Sequence, residues 1–134
     1  MTYGCQCWSL TNNQKEKLQV TQRKMERMML GISRREHITN TQLRRQSKLD
    51  DVLERTQKLK WNWAGHVVRQ DDSRWPKAIE NFEFKNTRKK GRPRIRWKDE
   101  IQEIGGACGM WRKKATNREI WKNLGDTFVQ RTVQ

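Results

Sequence analysis

The chain has 134 residues, of which only 33% are hydrophobic, and it carries 30 Lys and Arg against 15 Asp and Glu, a formal net charge of +15. Such an excess of positive charge opposes compaction unless a polyanion neutralises it, so the composition favours RNA and/or DNA as partners. A mean hydropathy of −1.17, with no long apolar run, argues against a membrane partner. A generic charged surface is the alternative interpretation.

Seven tryptophans offset the shortage of apolar residues. Each indole can bury roughly 200 Å², and disordered basic tails rarely contain so many. The spacing of apolar residues predicts a mainly α fold of small helical bundles joined by basic loops. Three cysteines make an odd count, which argues against a disulfide framework and for a reducing compartment. We therefore expect an intracellular protein of the nucleus and/or the cytoplasm.

The first ten residues have a different pattern from the remainder. Tyr3, Cys5, Cys7 and Trp8 alternate with other residues, which is typical of a short N-terminal strand. No partner strand is visible later in the sequence. This pattern suggests a fragment of a longer protein.

The next segment predicts a long helix over about 12–30, capped by Asn12 or Asn13 and stopped by Gly31. Its apolar residues recur at helical spacing and are Leu18, Met25, Met28, Met29 and Ile32.

Two more helices are predicted beyond residue 38. Thr39 or Asn40 caps a short helix through Gln46, and a longer helix begins near Asp50 or Asp51, whose carboxylates suit the positive helix end. The apolar row of the longer helix is Val52, Leu59, Trp63 and Val67, with Thr56 between them. The pair superficially resembles a helix-turn-helix, but ordinary helix packing is the favoured interpretation.

Trp61 and Trp63 stand two residues apart, which places them roughly 200° apart around a helix. Both cannot enter one apolar stripe. One of them is expected to contact another segment or a nucleic-acid base, and Trp61 is the favoured candidate. Gly65 in the same helix predicts a close crossing by another helix or backbone segment.

The later elements are shorter. Pro76 suits the first turn of a short packed helix, and Gly105–Gly106 ends a further helix. A last helix is predicted from about Asn117. The residues expected to pack from these helices are Trp75, Ala78 and Ile79; Trp97, Ile101 and Ile104; and Trp121, Leu124 and Phe128.

Residues 85–98 contain eight Lys and Arg and no acid. The candidate phosphate contacts in this run are Arg88, Lys89, Lys90, Arg92, Arg94 and Arg96. Gly91 allows close approach to a surface and Pro93 keeps the strip extended, so that arginines can enter a narrow minor groove. The core Gly91-Arg92-Pro93 resembles the AT-hook motif of minor-groove binders. A solvated basic loop leading into a packed helix is the alternative.

Candidates for catalysis are weak. His66 has no partner at the spacing of a catalytic or metal site, so a hydrogen-bonded structural histidine is expected. Cys5, Cys7, Cys108 and His37 match no common zinc module, and free buried thiols are expected. No phosphate loop or carboxylate cluster is recognisable. We expect no enzyme activity of the chain alone, no cofactor, no metal and no small-molecule substrate.

The order of several segments resembles the C-terminal region of reverse transcriptases from non-LTR (LINE-type) retrotransposons, most closely the RTE-like group. The segments are Tyr3-Gly4-Cys5 with Trp8; Gln22-Arg23 to Met28 with Leu30-Gly31-Ile32; Leu59-Lys60-Trp61 with Trp63-Ala64-Gly65-His66-Val67 and Arg69; Arg74-Trp75; Gly91-Arg92-Pro93 with Arg96-Trp97 and Asp99; and Asn117-Arg118 with Trp121 and Phe128-Val129-Gln130. Each piece is weak alone, but the order covers nearly the whole chain.

The resemblance implies the thumb and tail of an element-encoded protein that also has an endonuclease and an RNA-directed DNA polymerase. The family's aromatic-Ala-Asp-Asp polymerase motif, its endonuclease motifs and the zinc knuckle of some relatives are absent from this sequence. What the resemblance implies is a nucleic-acid-binding fragment, with Arg23, Lys24 and Arg27 facing a template–product duplex and residues 88–96 contacting phosphates. The polymerase body of the same protein is a further implied partner.

Three consecutive units are expected: a palm/thumb-like end with the first long helix over 1–35, a helical unit over 36–84, and a basic loop with C-terminal helices over 85–134. Three alternatives remain open beside the reverse-transcriptase tail, and the last of them is a degenerate fragment with no selected role. The first is an independent DNA-binding module derived from a transposon, and the second is a protein-interaction module that docks on a polymerase.

Overall fold

The computed structural model describes residues 2–81, 96–106 and 109–133. Over these residues the chain is mainly α, as the sequence predicts. The α-helices are α1 (Asn12–Leu30), α2 (Asn40–Ser47), α3 (Val52–Val68), α4 (Trp75–Asn81), α5 (Trp97–Gly105), α6 (Met110–Thr116) and α7 (Arg118–Val133), and two short 3-10 turns lie at Cys5–Cys7 and Arg34–Glu36.

The prediction of an N-terminal strand is wrong. Gly4 adopts a left-handed conformation (φ 71°) that turns the chain into the 3-10 helix Cys5–Cys7, which packs against α3. Cys5 is fully buried there, whereas Cys7 is exposed. The alternation of cysteines therefore reflects one buried thiol in a turn, and the expectation of a buried thiol holds for Cys5 but not for Cys7.

Helix α1 has the predicted length, but another residue caps it. Thr11 accepts a hydrogen bond from the Gln14 backbone N–H (3.4 Å) while the Gln14 side chain accepts one from the Thr11 N–H (2.9 Å), a reciprocal capping box. Gly31 ends the helix in a left-handed conformation (φ 67°). The side of α1 that is buried carries Gln22 and Glu26. The methionine row predicted from helical spacing faces solvent instead, with Met28 72% exposed.

Helices α2 and α3 begin where the sequence predicts. Thr39 caps α2, and Asp51 caps α3 by accepting a hydrogen bond from the Leu53 N–H (2.8 Å). The Asp51 carboxylate also pairs with Arg44 of α2 (2.6 Å), and Gln22 of α1 accepts from the Val52 N–H (2.8 Å). Side chains from α1 and α2 thus fix the amino end of α3.

The buried face of α3 differs from the predicted apolar row. Leu59 is 38% exposed, whereas Lys60 and Trp61 are only 1% and 2% exposed. Thr56 is buried because its hydroxyl donates to the Val52 carbonyl (2.7 Å). The helix is rotated so that two residues able to bond across the core, Lys60 and Trp61, point inward.

The centre of the core is a reciprocal contact between α3 and α7. The indoles of Trp61 and Trp121 stack with ring centroids 3.8 Å apart and planes 6° apart. Each indole N–H donates to the other residue's backbone carbonyl, at 2.8 Å from Trp61 and 3.0 Å from Trp121. Gly65 and Gly125 each stand four residues after a tryptophan, and each faces the indole of the other helix. The close crossing predicted at Gly65 is confirmed.

Residues from α5 and α6 complete this core. Its buried members are Trp61, Ala64, Ile101, Trp111, Ala115, Trp121, Phe128 and Val129, with Trp97, Ile104 and Leu124 packed against them at the edge. The inward positions predicted for α5 and α7 are therefore confirmed, while α6 was not predicted. The division into units at 1–35, 36–84 and 85–134 stays a prediction. Among the residues described, no helix combines the length and apolar character needed to cross a lipid bilayer.

Candidate nucleic-acid interface

A basic groove lies along α1 and the turn that follows it. It encloses about 450 Å³, and its lining includes Arg23, Lys24, Arg27 and Arg34. The first three are the α1 residues that the family resemblance implies as contacts to a template–product duplex. Arg23 and Arg27 are one helical turn apart, and Gly31 lets the chain fold back so that Arg34 joins them. The fold therefore brings the predicted α1 cations together in one concave surface.

The cations of the basic groove differ in how firmly they are held. One Arg27 guanidinium nitrogen donates to the Ile38 carbonyl (2.9 Å), so this side chain also ties the turn to α1. Arg23 Nε is buried and has no hydrogen-bond partner in the described part of the chain. Lys24 is exposed. Because the Arg23 Nε is buried, the exposed Lys24 ammonium is the donor that an anion in the groove meets most directly.

Trp61 lies in the core and not on the surface. It was predicted as a residue that meets a nucleic-acid base, but it is 2% exposed and stacks on Trp121. Its indole N–H is satisfied inside the core. Trp61 therefore meets another segment of the chain, which was the other alternative open at this position.

Of the phosphate contacts predicted in residues 85–98, only Arg96 lies in the part of the chain that the structure describes. Arg88, Lys89, Lys90, Arg92 and Arg94 lie outside the described residues, and their assignment stays a prediction. Arg96 is exposed, and its backbone N–H donates to the Asp99 carboxylate (2.7 Å) at the start of α5.

An aromatic groove that the sequence reasoning missed lies beside Arg96. It encloses about 860 Å³, and its lining includes Trp63 of α3, Trp75 of α4 and Trp97 of α5, with Arg96 and Lys98 among its polar residues. Trp75 and Ile79 are 80% and 68% exposed, and Ala78 is exposed too, so the prediction that these three residues pack α4 against the core is wrong. Two features of the sequence indicate exposed tryptophans in this region. Trp61 and Trp63 are two residues apart, so that both cannot enter one buried stripe, and Trp75 stands between an arginine and a proline.

Internal contacts hold the walls of the aromatic groove in place. The Trp97 indole N–H donates to the Gln6 carbonyl (2.6 Å), and the Lys60 ammonium lies 5.8 Å from the centroid of its ring. Lys77 of α4 donates to the Val68 and Gln70 carbonyls (3.0 and 2.9 Å) at the end of α3. The wall residues on α3, α4 and α5 are thus positioned before any ligand arrives.

Lys60 is a buried charge behind the groove. It pairs with Glu100 of α5, which also pairs with Lys15 of α1 at 3.3 Å. Burial lowers the pKa of the Lys60 ammonium below its ordinary value, because desolvation disfavours the charged form more than the Glu100 hydrogen bond favours it. The Lys60–Glu100 pair joins α3 to α5 and is a structural element of the site.

The remaining candidates from the sequence are His66 and the set of Cys5, Cys7, Cys108 and His37. His66 is exposed and lies 2.9 Å from the Gln70 side-chain nitrogen, a hydrogen-bonded histidine as expected. Within the described ranges, no three His, Cys, Asp or Glu side chains are grouped so that they could hold a metal ion. Cys108 lies outside those ranges.

Comparison with known proteins gives one informative similarity. The chain is 29% identical over 133 residues to a transposon-derived protein of Caenorhabditis elegans, a match that covers 90% of this chain and 48% of the relative. The chain therefore spans about half the length of the curated relative it matches. No protein-family model and no solved structure matches it. The similarity supports a transposon origin for the chain.

Proposed function

We propose that the chain is the nucleic-acid-binding C-terminal part of a non-LTR retrotransposon reverse transcriptase, holding template RNA or target DNA mainly through phosphates. The observation that carries the proposal is the convergence of Arg23, Lys24, Arg27 and Arg34 in one groove of a chain with net charge +15. The similarity to a transposon-derived protein supports the same origin.

The chemistry of the basic groove suits a phosphate backbone better than base edges. Its lining includes three arginines and one lysine, and such cationic donors neutralise phosphates without reading sequence. Arg23 and Arg27 repeat along one helix face, as contacts to successive phosphates would require. In this proposal the groove positions a duplex, and polymerisation is the work of other parts of the intact protein.

The test is equilibrium binding to duplex DNA, duplex RNA and an RNA–DNA hybrid over a series of salt concentrations. If about six phosphates are neutralised, the logarithm of the affinity should fall with the logarithm of the salt concentration with a slope of roughly −5. The double variant Arg23→Gln/Lys24→Gln should make that slope shallower by about 2, since each lost phosphate contact removes about 0.9.

A matched control removes the same charge elsewhere. Lys113→Gln/Lys122→Gln changes two exposed lysines on α6 and α7 and should leave the slope close to that of the unaltered protein. Equal effects of the two double variants would show that only net charge matters and would overturn the basic groove as a site. Absence of salt-sensitive binding to all three duplexes would overturn the proposed function.

Substitutions in the basic run separate this proposal from the stand-alone DNA-binding module. Replacing Arg92, Arg94 and Arg96 with Ala should weaken binding to RNA and DNA alike if the chain is a reverse-transcriptase tail. A loss confined to A·T-rich duplex DNA would instead favour the minor-groove module that Gly91-Arg92-Pro93 resembles.

A protein-docking role is a second candidate, favoured by the apolar residues that α1 leaves in solvent. Met25, Met28 and Met29 are 47%, 72% and 69% exposed, and methionine adapts well to a partner surface. Under this candidate, Met25→Gln/Met29→Gln, which removes the apolar side chains without adding charge, should abolish association with a polymerase body supplied as a separate polypeptide while leaving duplex binding unchanged. Association that survives the substitution would contradict it.

A further inference from the structure

We infer that the aromatic groove formed by Trp63, Trp75 and Trp97 is a base-stacking site for single-stranded nucleic acid, distinct from the duplex-holding basic groove. The inference rests on the proposed function, because it assumes a nucleic-acid partner, and it adds a second site with a different strand preference.

The exposure of the apolar residues is the first argument. Trp75 is 80% exposed and Ile79, one turn later on α4, is 68% exposed. An indole left in water forfeits the burial free energy that makes tryptophan useful in a core. Other side chains hold α4 in place: Lys77 donates to carbonyls at the end of α3, and Glu80 pairs with Arg112 of α6. The indole is therefore available to a ligand.

The convergence of three indoles is the second argument. They come from three helices and line one groove of about 860 Å³, which lies within the range of about 300–1,000 Å³ typical of clefts for small organic ligands. A nucleotide is such a ligand. Aromatic faces suit bases of any sequence, because every base has a π-face, and stacking contributes about 1–3 kcal/mol per base.

The charges around the groove identify the class of partner. Arg96 and Lys98 lie in its lining and can meet the phosphates that join successive bases. The carboxylate in the same lining, Glu80, is already paired with Arg112 of α6 at 2.6 Å. The groove thus combines apolar aromatic walls with two cations, while the carboxylate among its described lining residues is already paired, and this favours a polyanion with flat apolar groups over an apolar peptide.

The geometry of base stacking determines whether the groove suits single-stranded or double-stranded nucleic acid. In a duplex the bases are stacked on one another and only their edges are accessible in the grooves. Single strands can place unstacked bases on aromatic side chains. A groove whose walls are indoles can therefore engage single-stranded RNA or DNA and gains little from a duplex.

The experiment measures affinity of the full chain for a dT homopolymer and for a duplex of equal length. Trp75→Ala should weaken dT binding on the order of tenfold, since the loss of one stacked base corresponds to about 1–3 kcal/mol, and should leave duplex binding unchanged. Trp75→Phe should restore most of the dT affinity because it keeps an aromatic face. Ile120→Ala, which removes an exposed apolar side chain from α7, is the control and should change neither affinity.

The outcomes separate the two proposals. If Trp75→Ala and the unaltered protein bind dT equally while duplex binding stays salt-sensitive, the single-strand site is refuted and the proposed function stands. Equal loss of dT and duplex binding would also refute the inference, since it predicts a strand-selective loss. Failure of the unaltered protein to bind either nucleic acid would refute the proposed function itself. Unchanged thermal unfolding of both Trp75 variants verifies that folding is not the cause.

Discussion

Gly65 is the position where the packing of α3 against α7 can be tested most sharply. A Cβ atom at Gly65 would lie 2.4 Å from Nε1 and 2.6 Å from Cδ1 of Trp121. The indole cannot move away easily, because it stacks on Trp61 and its N–H donates to the Trp61 carbonyl (3.0 Å). Gly65→Ala must therefore displace Trp121 or separate the helices.

The expected magnitude follows from three contributions. Overpacking of a tight core costs about 1–3 kcal/mol, and weakening of the Trp121 hydrogen bond costs about 1 kcal/mol. Alanine is favoured over glycine in a helix by about 1 kcal/mol. We expect Gly65→Ala to lower the free energy of unfolding by about 2 kcal/mol, which for a chain of this size lowers Tm by roughly 8 °C.

Gly125 provides a matched comparison on the partner helix. A Cβ there would lie 3.1 Å from Cδ1 of Trp61, a contact that a shift of a few tenths of an ångström relieves. Gly125→Ala should leave Tm within about 3 °C of the unaltered protein, because the gain in helix propensity offsets the crowding. Thermal unfolding followed by circular dichroism measures both variants. A Gly65→Ala protein as stable as the parent, or a Gly125→Ala protein that is the less stable of the two, would refute the reasoning.

The buried polar contacts give three more expected outcomes. Glu100→Ala leaves the Lys60 ammonium buried without its carboxylate and should reduce the free energy of unfolding, measured in urea, by about 3 kcal/mol. Lys60→Met removes the buried charge itself and should change this free energy by less than about 1 kcal/mol. Equal losses in the two variants would contradict the role of desolvation. The pKa of Lys60 is lowered in the folded state, so the unfolded chain binds this proton more tightly. The free energy of unfolding, compared with that of Lys60→Met, should therefore rise as the pH approaches the pKa of an unfolded lysine. A fall over that pH range would show that the pKa of Lys60 is not lowered by folding. Gln22→Ala removes the acceptor of the buried Val52 N–H and should cost about 1–3 kcal/mol in thermal unfolding, so an unchanged Tm would argue against that contact.

The sequence predicted the helix ends well because caps are local features. The stop at Gly31, the start of α3 after Asp51 and the start of α7 at Asn117 each depend on a residue and its immediate neighbours. The short helix α6 (Met110–Thr116) was missed because it is a single short element with three consecutive basic residues and little apolar periodicity.

The buried faces were harder to predict because they depend on distant partners. Lys60 is buried only because Glu100, forty residues later, supplies a carboxylate. The Trp61 indole is buried because a backbone carbonyl at Trp121, sixty residues later, accepts its N–H. The periodicity of apolar residues carries no information about these distant partners. It therefore put Leu59 in the buried row of α3 and favoured Trp61 as a contact to a nucleic-acid base.

The two candidate surfaces show the same contrast. The cations of the basic groove on α1 were named in advance through the family resemblance, and they lie together because Arg23, Lys24 and Arg27 share one helix. The aromatic groove could not, because its tryptophans come from three helices whose relative placement depends on the core. Sequence reasoning treats an isolated tryptophan as a core residue by default, and Trp75 is the case where that default fails.

The reciprocal indole contact also determines how the gene tolerates damage. Half of the contact is encoded sixty codons after Trp61, at Trp121, and Phe128 of the same core follows it. A premature stop codon ahead of Trp121 would leave the Trp61 face and the neighbouring glycine uncovered, although every arginine of α1 would still be translated. Loss of the codons for Trp121 to Val129 would therefore act as a folding lesion, because the core closes only when the frame is read through Val129.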